Sequence, residues 1–159
     1  MVNILRSKLP QPVLNDMYEK ILQQAMTMNK ASCGNLQILN KKDQSLEIVV
    51  SSGLSSQFLN YFKKVETHDG TVCARALRMR KTVFVPELAM DQFFTPHLKI
   101  TSLEGIHSVQ STPLISQTGQ LIGIISMHYK LPRRHLDAEL SKFESFCITT
   151  ADMIETYLN

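Results

Sequence analysis

Tryptophan is absent from this 159-residue chain, and cysteine occurs only three times, at Cys33, Cys73 and Cys147. An odd number of widely spaced thiols makes no disulfide framework and points to a reducing, cytoplasmic setting. Glycine and proline number six each, which excludes collagen-like and low-complexity sequence. No apolar run approaches the ~20 residues a membrane-crossing helix needs, and stretches such as 121–127 are strand-sized. No basic segment followed by an apolar one opens the chain, so no secretory leader is expected. Charge of one sign is scarce as well: 17 basic against 14 acidic residues leave +3. The positive residues gather only at Arg75, Arg78, Arg80 and Lys81 and in the pairs Lys41-Lys42, Lys63-Lys64 and Arg133-Arg134. So mild a footprint gives no expectation of a nucleic-acid or membrane partner.

What is present suits one domain: 43% of the residues are apolar. A proline-marked lead, 1–12, precedes a single domain over 13–159. Leu14, Met17, Tyr18, Ile21, Leu22, Ala25 and Met26 recur at i, i+3, i+4, i+7 and i+8, the stripe of an amphipathic helix that Asn29 can stop. Residues 33–39 predict a strand in which Leu36 and Ile38 alternate with Asn35 and Gln37. After the polar turn 41–45, Leu46, Ile48 and Val50 give a second strand its apolar face, making an antiparallel hairpin. Ser55 is placed to cap a short helix that turns Phe58, Leu59 and Phe62 inward, and Thr71, after the Asp69-Gly70 turn, to cap another over 72–79. Residues 82–85 predict a short strand. Thr95-Pro96 predicts a helix start and Gly105 its stop. Strands over 107–115 and 120–129 flank the hairpin turn 116–119, with Pro113 marking an edge, a bulge or the end of regular pairing.

The last helix, 136–158, carries one stripe of Leu136, Leu140, Phe143, Cys147, Ala151, Ile154 and Leu158 and, beside it, Phe146, Thr150, Met153 and Tyr157. That face is wider than packing on one sheet requires, so the helix either packs deeply on the first helix or meets another chain. The fold class is α+β: terminal helices cover one face of an antiparallel sheet, and the irregular segment 55–105 covers the other, where a pocket can form.

Phosphate-loop, GxSxG, HExxH and paired CxxC signatures are missing. His68, His97, His107, His128 and His135 show no metal-ligand spacing, and neither metal nor cofactor is expected. Cys73, near the start of a short helix with Arg75 and His68 close in sequence, is either an activated thiol or a small buried residue. Cys147 falls in the helix stripe, and Cys33 has no evident partner. Phe58, Tyr61, Phe62, Phe84, Phe93 and Phe94 lie in the irregular cover, His97 in the first turn of its helix, and Gln110 and Ser111 on an otherwise apolar strand.

His68-Asp69-Gly70-Thr71-Val72-Cys73-Ala74-Arg75-Ala76-Leu77, followed by Lys81-Thr82-Val83-Phe84-Val85, resembles the central segment of GAF domains from bacterial signalling proteins. So does Asp91-Gln92-Phe93-Phe94-Thr95-Pro96-His97. Val109-Gln110-Ser111-Thr112-Pro113-Leu114-Ile115 and Gly119-Gln120-Leu121-Ile122-Gly123-Ile124-Ile125-Ser126 are similar to the final hairpin of GAF domains found beside histidine kinases. The resemblance spans about residues 13–158. It implies a non-catalytic sensor with a small-molecule pocket, dimerising through its terminal helices and passing a signal to a kinase or other signalling module. Ala74 stands where bacterial relatives often have glycine, and no cyclic-nucleotide or bilin-attaching pattern is discernible.

The pocket candidates on this reading are Cys73, Phe62, Leu77, Phe94, His97, Gln110 and Ser111. The dimer candidates are Phe146, Met153 and Tyr157. Two alternatives stand beside it. One is an enzyme resembling free methionine sulfoxide reductases, with Cys73 as nucleophile. The other is an interaction module whose pocket is filled by Phe58, Phe62, Phe84, Phe94 and Met127.

Overall fold

The structure, a computed structural model, describes residues 8–133 and 137–158. His135 and Leu136, the latter expected at the head of the last helix, lie outside the described residues. Helix α1 (Gln11–Asn29) opens with Pro12 in its first turn, where a missing amide donor costs nothing, and ends at Lys30 in the left-handed region. Of its stripe, Leu14, Tyr18, Ile21, Leu22, Ala25 and Met26 are buried as the spacing predicts, and Met17 is half-buried. Strands β1 (Cys33–Asn40) and β2 (Ser45–Ser52) form the expected hairpin.

The short helices α2 (Ser56–Tyr61) and α3 (Val72–Met79) are capped as anticipated. Ser55 Oγ accepts from Phe58 N at 3.1 Å, and Thr71 Oγ1 from Ala74 N at 3.2 Å. Between them lies the two-residue strand β3 (Lys64–Val65), which no sequence period announces. Strand β4 (Val83–Val85), helix α4 (Leu98–Glu104), strands β5 (Ser108–Ile115) and β6 (Leu121–Tyr129) and helix α5 (Asp137–Tyr157) complete the chain.

The six strands make one antiparallel sheet in the order β3-β2-β1-β6-β5-β4. Helices α1 and α5 pack on one face over Leu36, Ile38, Leu114, Ile125 and Met127. The inserted segment from α2 to α4 packs on the other, around Leu46, Phe58, Phe62, Leu88 and Ile124. This is a curled α+β sheet with its two long helices on one side, as the sequence pattern predicts.

Several expectations need correction. The β1–β2 register shifts between Leu36 and Gln37, pairing Leu36 with Val50 but Gln37 with Ile48. The extra residue turns Val50 to the helix side while Leu46 and Ile48 face the cover, so the three do not share a face. Thr95 is not a helix cap: residues Thr95–His97 form a single 3-10 turn, and the Asp91 carboxylate accepts from Phe93 N and Phe94 N, both at 3.0 Å. Pro113, by contrast, falls where one of its expected outcomes puts it, at the end of regular pairing: it lies in β5 opposite Ile124, past the last β4–β5 pair Val83↔Ser111, so its missing donor interrupts no β4 pairing.

Gly123 on β6 is required by close approach. A side chain there would run into the Gln37 carbonyl oxygen of β1. No helix among the described residues is long and apolar enough to cross a membrane.

Candidate ligand-binding site

Three central strands bring polar side chains to the face that α1 and α5 leave free. Asn35 on β1 sits opposite Ser126 on β6, which in turn sits opposite Ser111 on β5. The two serine hydroxyls are 2.7 Å apart. Gln37 and His128 extend this floor by two residues along β1 and β6 respectively. Asn35, Gln37 and His128 are 4%, 2% and 6% exposed, so these groups are buried although they lie on a strand face that would be polar if solvated.

The roof comes from the inserted segment: Phe58 within α2 and Phe62 at its C-terminal end, Thr71, Val72 and Cys73 at the start of α3, and Phe94 and Thr101 around α4. Polar clips hold it. Arg75 pairs with Asp91 at 2.9 Å, Tyr61 Oη lies 2.9 Å from His97 Nδ1, and His97 Nε2 contacts the Asp69 carbonyl. Ser55 Oγ donates to Glu104 Oε1. Gly70, at φ +81°, passes directly beneath the Phe93 carbonyl, and a Cβ there would collide with it.

Between floor and roof is a cavity of about 30 Å3. That is roughly one water molecule's share of the liquid. No lining side chain is charged. Asn35 Oδ1, Gln37 Oε1 and His128 Nδ1 have no hydrogen-bond partner. A buried polar atom left unpaired costs ~1–3 kcal/mol. Burial alone lowers the His128 pKa to about 4, so its ring is neutral at physiological pH.

Of the sequence candidates, Cys73, Phe62, Phe94 and Ser111 line the cavity. Gln110 does not. One residue along β5 from Ser111, it faces the helices and donates from Nε2 to Asn29 Oδ1 at 3.3 Å. Leu77 packs in the apolar layer under the cover and borders a separate groove with Arg78 and Arg80. His97 is a clip in the roof, packed against Phe62 and Phe94, rather than a wall of the cavity. Phe84 and Met127, named as cavity fillers, are cross-strand neighbours of Gln110 on the helix side; Phe58, Phe62 and Phe94 alone reach the cavity.

The residues missed were Asn35, Gln37, Ser126 and His128. Their period-two alternation with apolar neighbours was visible, but it reads equally as a solvated face.

The surroundings of Cys73, a half-buried residue, oppose the activation that its helix position suggested. Burial pushes its pKa above the ordinary thiol value, although hydrogen bonds involving Thr71 and Gln37 pull the other way. Arg75 pairs through Nη1 with Asp91 and lies over the Phe93 ring while its Nε and Nη2 find no partner, and His68 is exposed. Cys147 lies on the opposite face of the sheet, and Cys33 Sγ donates to the Gly53 carbonyl at 3.2 Å. Among the described residues no three His, Cys, Asp or Glu side chains cluster to hold a metal.

This architecture and sequence define a class. A GAF domain family model matches residues 13–155, and the chain belongs to the GAF domain family. Its fold is similar to a domain of a two-component sensor histidine kinase protein from Sinorhizobium meliloti, at TM-score 0.73 and 19% identity over 89% of this chain and 90% of that one. It is similar also to the GAF domain/HD domain protein from Geobacter sulfurreducens, at TM-score 0.73 and 16% identity over 89% and 92%. A type II free methionine-R-sulfoxide reductase from Thermoplasma acidophilum shares the fold at TM-score 0.66 and 14% identity over 90% and 98%. No curated protein sequence matches the chain.

Proposed function

We propose that this GAF domain is a non-catalytic regulatory module of signal transduction in the cytoplasm. It holds a small molecule between the sheet and the inserted cover and passes the binding event to a kinase or other signalling module. The observation that carries this is the set of unpartnered buried atoms on side chains that line the cavity, Asn35 Oδ1, Gln37 Oε1 and His128 Nδ1. A filled, purely structural pocket would have no use for them, since apolar side chains of the same shape would cost less. Native mass spectrometry of freshly purified protein tests the reading: a small molecule retained at one per chain is expected, and a uniformly bare chain sinks it.

The non-catalytic part is supported by a Cys73 thiol that burial keeps protonated, far from the thiolate a nucleophile needs. Turnover of free methionine sulfoxide with a thiol donor, lost in Cys73→Ser, would overturn it. The second copy of the chain is the partner we assign to the terminal helices. Met153 on α5 is 40% exposed, and Phe146 and Tyr157 on the same helix are half-buried. Sedimentation at micromolar concentration is expected to show a dimer that Met153→Glu dissociates; a monomer in the unsubstituted protein disproves that interface.

A further inference from the structure

Two groups of positive charge that stand apart in the sequence meet in the fold. The turn between β1 and β2 carries Lys41, and the end of α3 carries Arg78 and Arg80. These three line one groove of about 630 Å3 with Leu39, Leu77 and Leu121, and it shares no lining residue with the cavity. The leucines are buried and the three cations exposed, so the groove has an apolar floor and a cationic rim.

Hydrogen bonds tie its walls together. Thr67 Oγ1 donates to the Gln44 carbonyl at 3.2 Å, and Arg78 Nη1 donates to the Thr67 carbonyl. Arg80 Nη2 donates to the Gly119 carbonyl at 2.7 Å. Each guanidinium is held in place with most of its N–H donors unused. Backbone carbonyls orient these cations without neutralising them. No Asp or Glu lines the groove, and among the described residues none of the three cations pairs with a carboxylate. Asp43, in the same turn as Lys41, is paired with Lys64 at 2.6 Å, and Glu66, next to Thr67 in sequence, is not in the lining. Like charges gathered without a counter-charge do nothing for folding, but they complement an anionic partner.

The lining narrows the kind of anion. Most of it is exposed, so a small anion there would stay in water instead of being enclosed. No aromatic ring is present to stack a nucleobase. A polypeptide supplies both complements at once, an apolar side chain for the floor and carboxylates for the rim.

We propose that this groove docks an acidic peptide segment of a partner protein. An apolar side chain of that segment sits on Leu39, Leu77 and Leu121, and its carboxylates meet Lys41, Arg78 and Arg80. The surface is separate from the cavity, and the inference holds whether or not the cavity binds a small molecule.

Fluorescence anisotropy with labelled probes tests this on the unsubstituted protein. The probes are a short peptide of glutamates around a central pair of leucines, the same peptide with lysine for glutamate, and oligothymidine. The acidic peptide is expected to bind saturably at micromolar concentration, more weakly as salt rises to the physiological level, and the other two are expected not to bind. Absence of binding by the acidic peptide overturns the proposal, and so does oligothymidine binding as tightly, which would make the groove a nucleic-acid surface. Amide NMR shifts from the acidic peptide are expected at Lys41, Arg78, Arg80 and Gly119; shifts confined to other residues overturn the site. Arg78→Gln combined with Arg80→Gln is expected to weaken the acidic peptide at least about tenfold, and unchanged affinity overturns the proposal. Should that variant not fold, the shift map of the unsubstituted protein still decides.

Discussion

On one side of the sheet, two helices of 19 and 21 residues lay continuous apolar stripes over Leu36, Ile125 and Met127, and aromatic and small residues, Tyr18, Phe143, Ala25 and Ala151, are buried in one layer. On the other side the cover is cut into helices of six, eight and seven residues, and much of what holds them is polar. Even the buried polar atoms differ. Helix-side Gln110 and Tyr129 both reach Asn29, at 3.3 and 3.0 Å, although the Tyr18 hydroxyl finds no partner. Cover-side Asn35, Gln37 and His128 line a shared cavity, and each keeps an atom unpaired. One face is packed for stability and the other holds the polar atoms on which the proposed binding rests, because unpaired polar atoms and a small void are tolerable only when the rest of the fold offsets them.

The sharpest way to break this contrast is to truncate one phenylalanine on each face. Phe143 and Phe58 are 1% and 2% exposed, so burial alone treats them as equals. Phe143→Ala opens a void between α5 and the sheet with nothing free to fill it, and is expected to cost ~3–5 kcal/mol in urea unfolding. Phe58→Ala adjoins a cavity under a cover of short elements that can close inward, and is expected to cost about 1 kcal/mol less. Equal losses would show that the cover is as firmly packed as the helix layer.

Acidification probes the same division. The folded His128 pKa is about 4, against 6.5 for an ordinary histidine, so between those values the unfolded chain takes up a proton that the folded chain refuses. The stability this neutral ring permits is whole above pH 6.5 and is lost as the pH falls toward 4, at up to ~1.4 kcal/mol per pH unit. Asp43, held down to about 2 by Lys64 and Ser45, begins to lose its contribution about one pH unit above its ordinary value of 3.8, so it reaches only the acid end of this window. His128→Phe is expected to flatten the pH dependence of unfolding between 4 and 6.5. A slope that survives the substitution would assign it to other groups and undo the neutral-histidine argument.

How much of this was legible in the sequence follows the same boundary. Helix-side elements announce themselves by period: the α1 stripe and the Phe143, Cys147, Ala151 and Ile154 stripe of α5 are buried where their spacing puts them. The capping residues Ser55 and Thr71 were readable because a side-chain oxygen at that position has one obvious job. The floor was not. Asn35 and Gln37 alternate with Leu36 and Ile38, and a period of two names two faces without saying which of them water reaches. Gln110 and Ser111 sit next to each other, so a reading that leaves the register open cannot choose between them, and the strand sends only Ser111 to the cavity. Leu77 and His97 come from elements too short for any period to orient them.

The smallest expected effect is the most local. Thr71 Oγ1 caps α3 by accepting from Ala74 N at 3.2 Å, donates to Asp69 Oδ1 at 2.6 Å, and accepts from Cys73 Sγ at 3.3 Å. Thr71→Ala removes the cap, and a lost N-cap is worth ~1 kcal/mol. Because α3 is short and roofs the cavity, that loss is expected to appear as faster amide exchange at Ala74 and along Val72–Met79 while the amides of α1 and α5 keep their protection. Exchange rising equally on both faces would mean that the cover unfolds only together with the helix layer, and a roof so coupled could not open separately to admit a ligand.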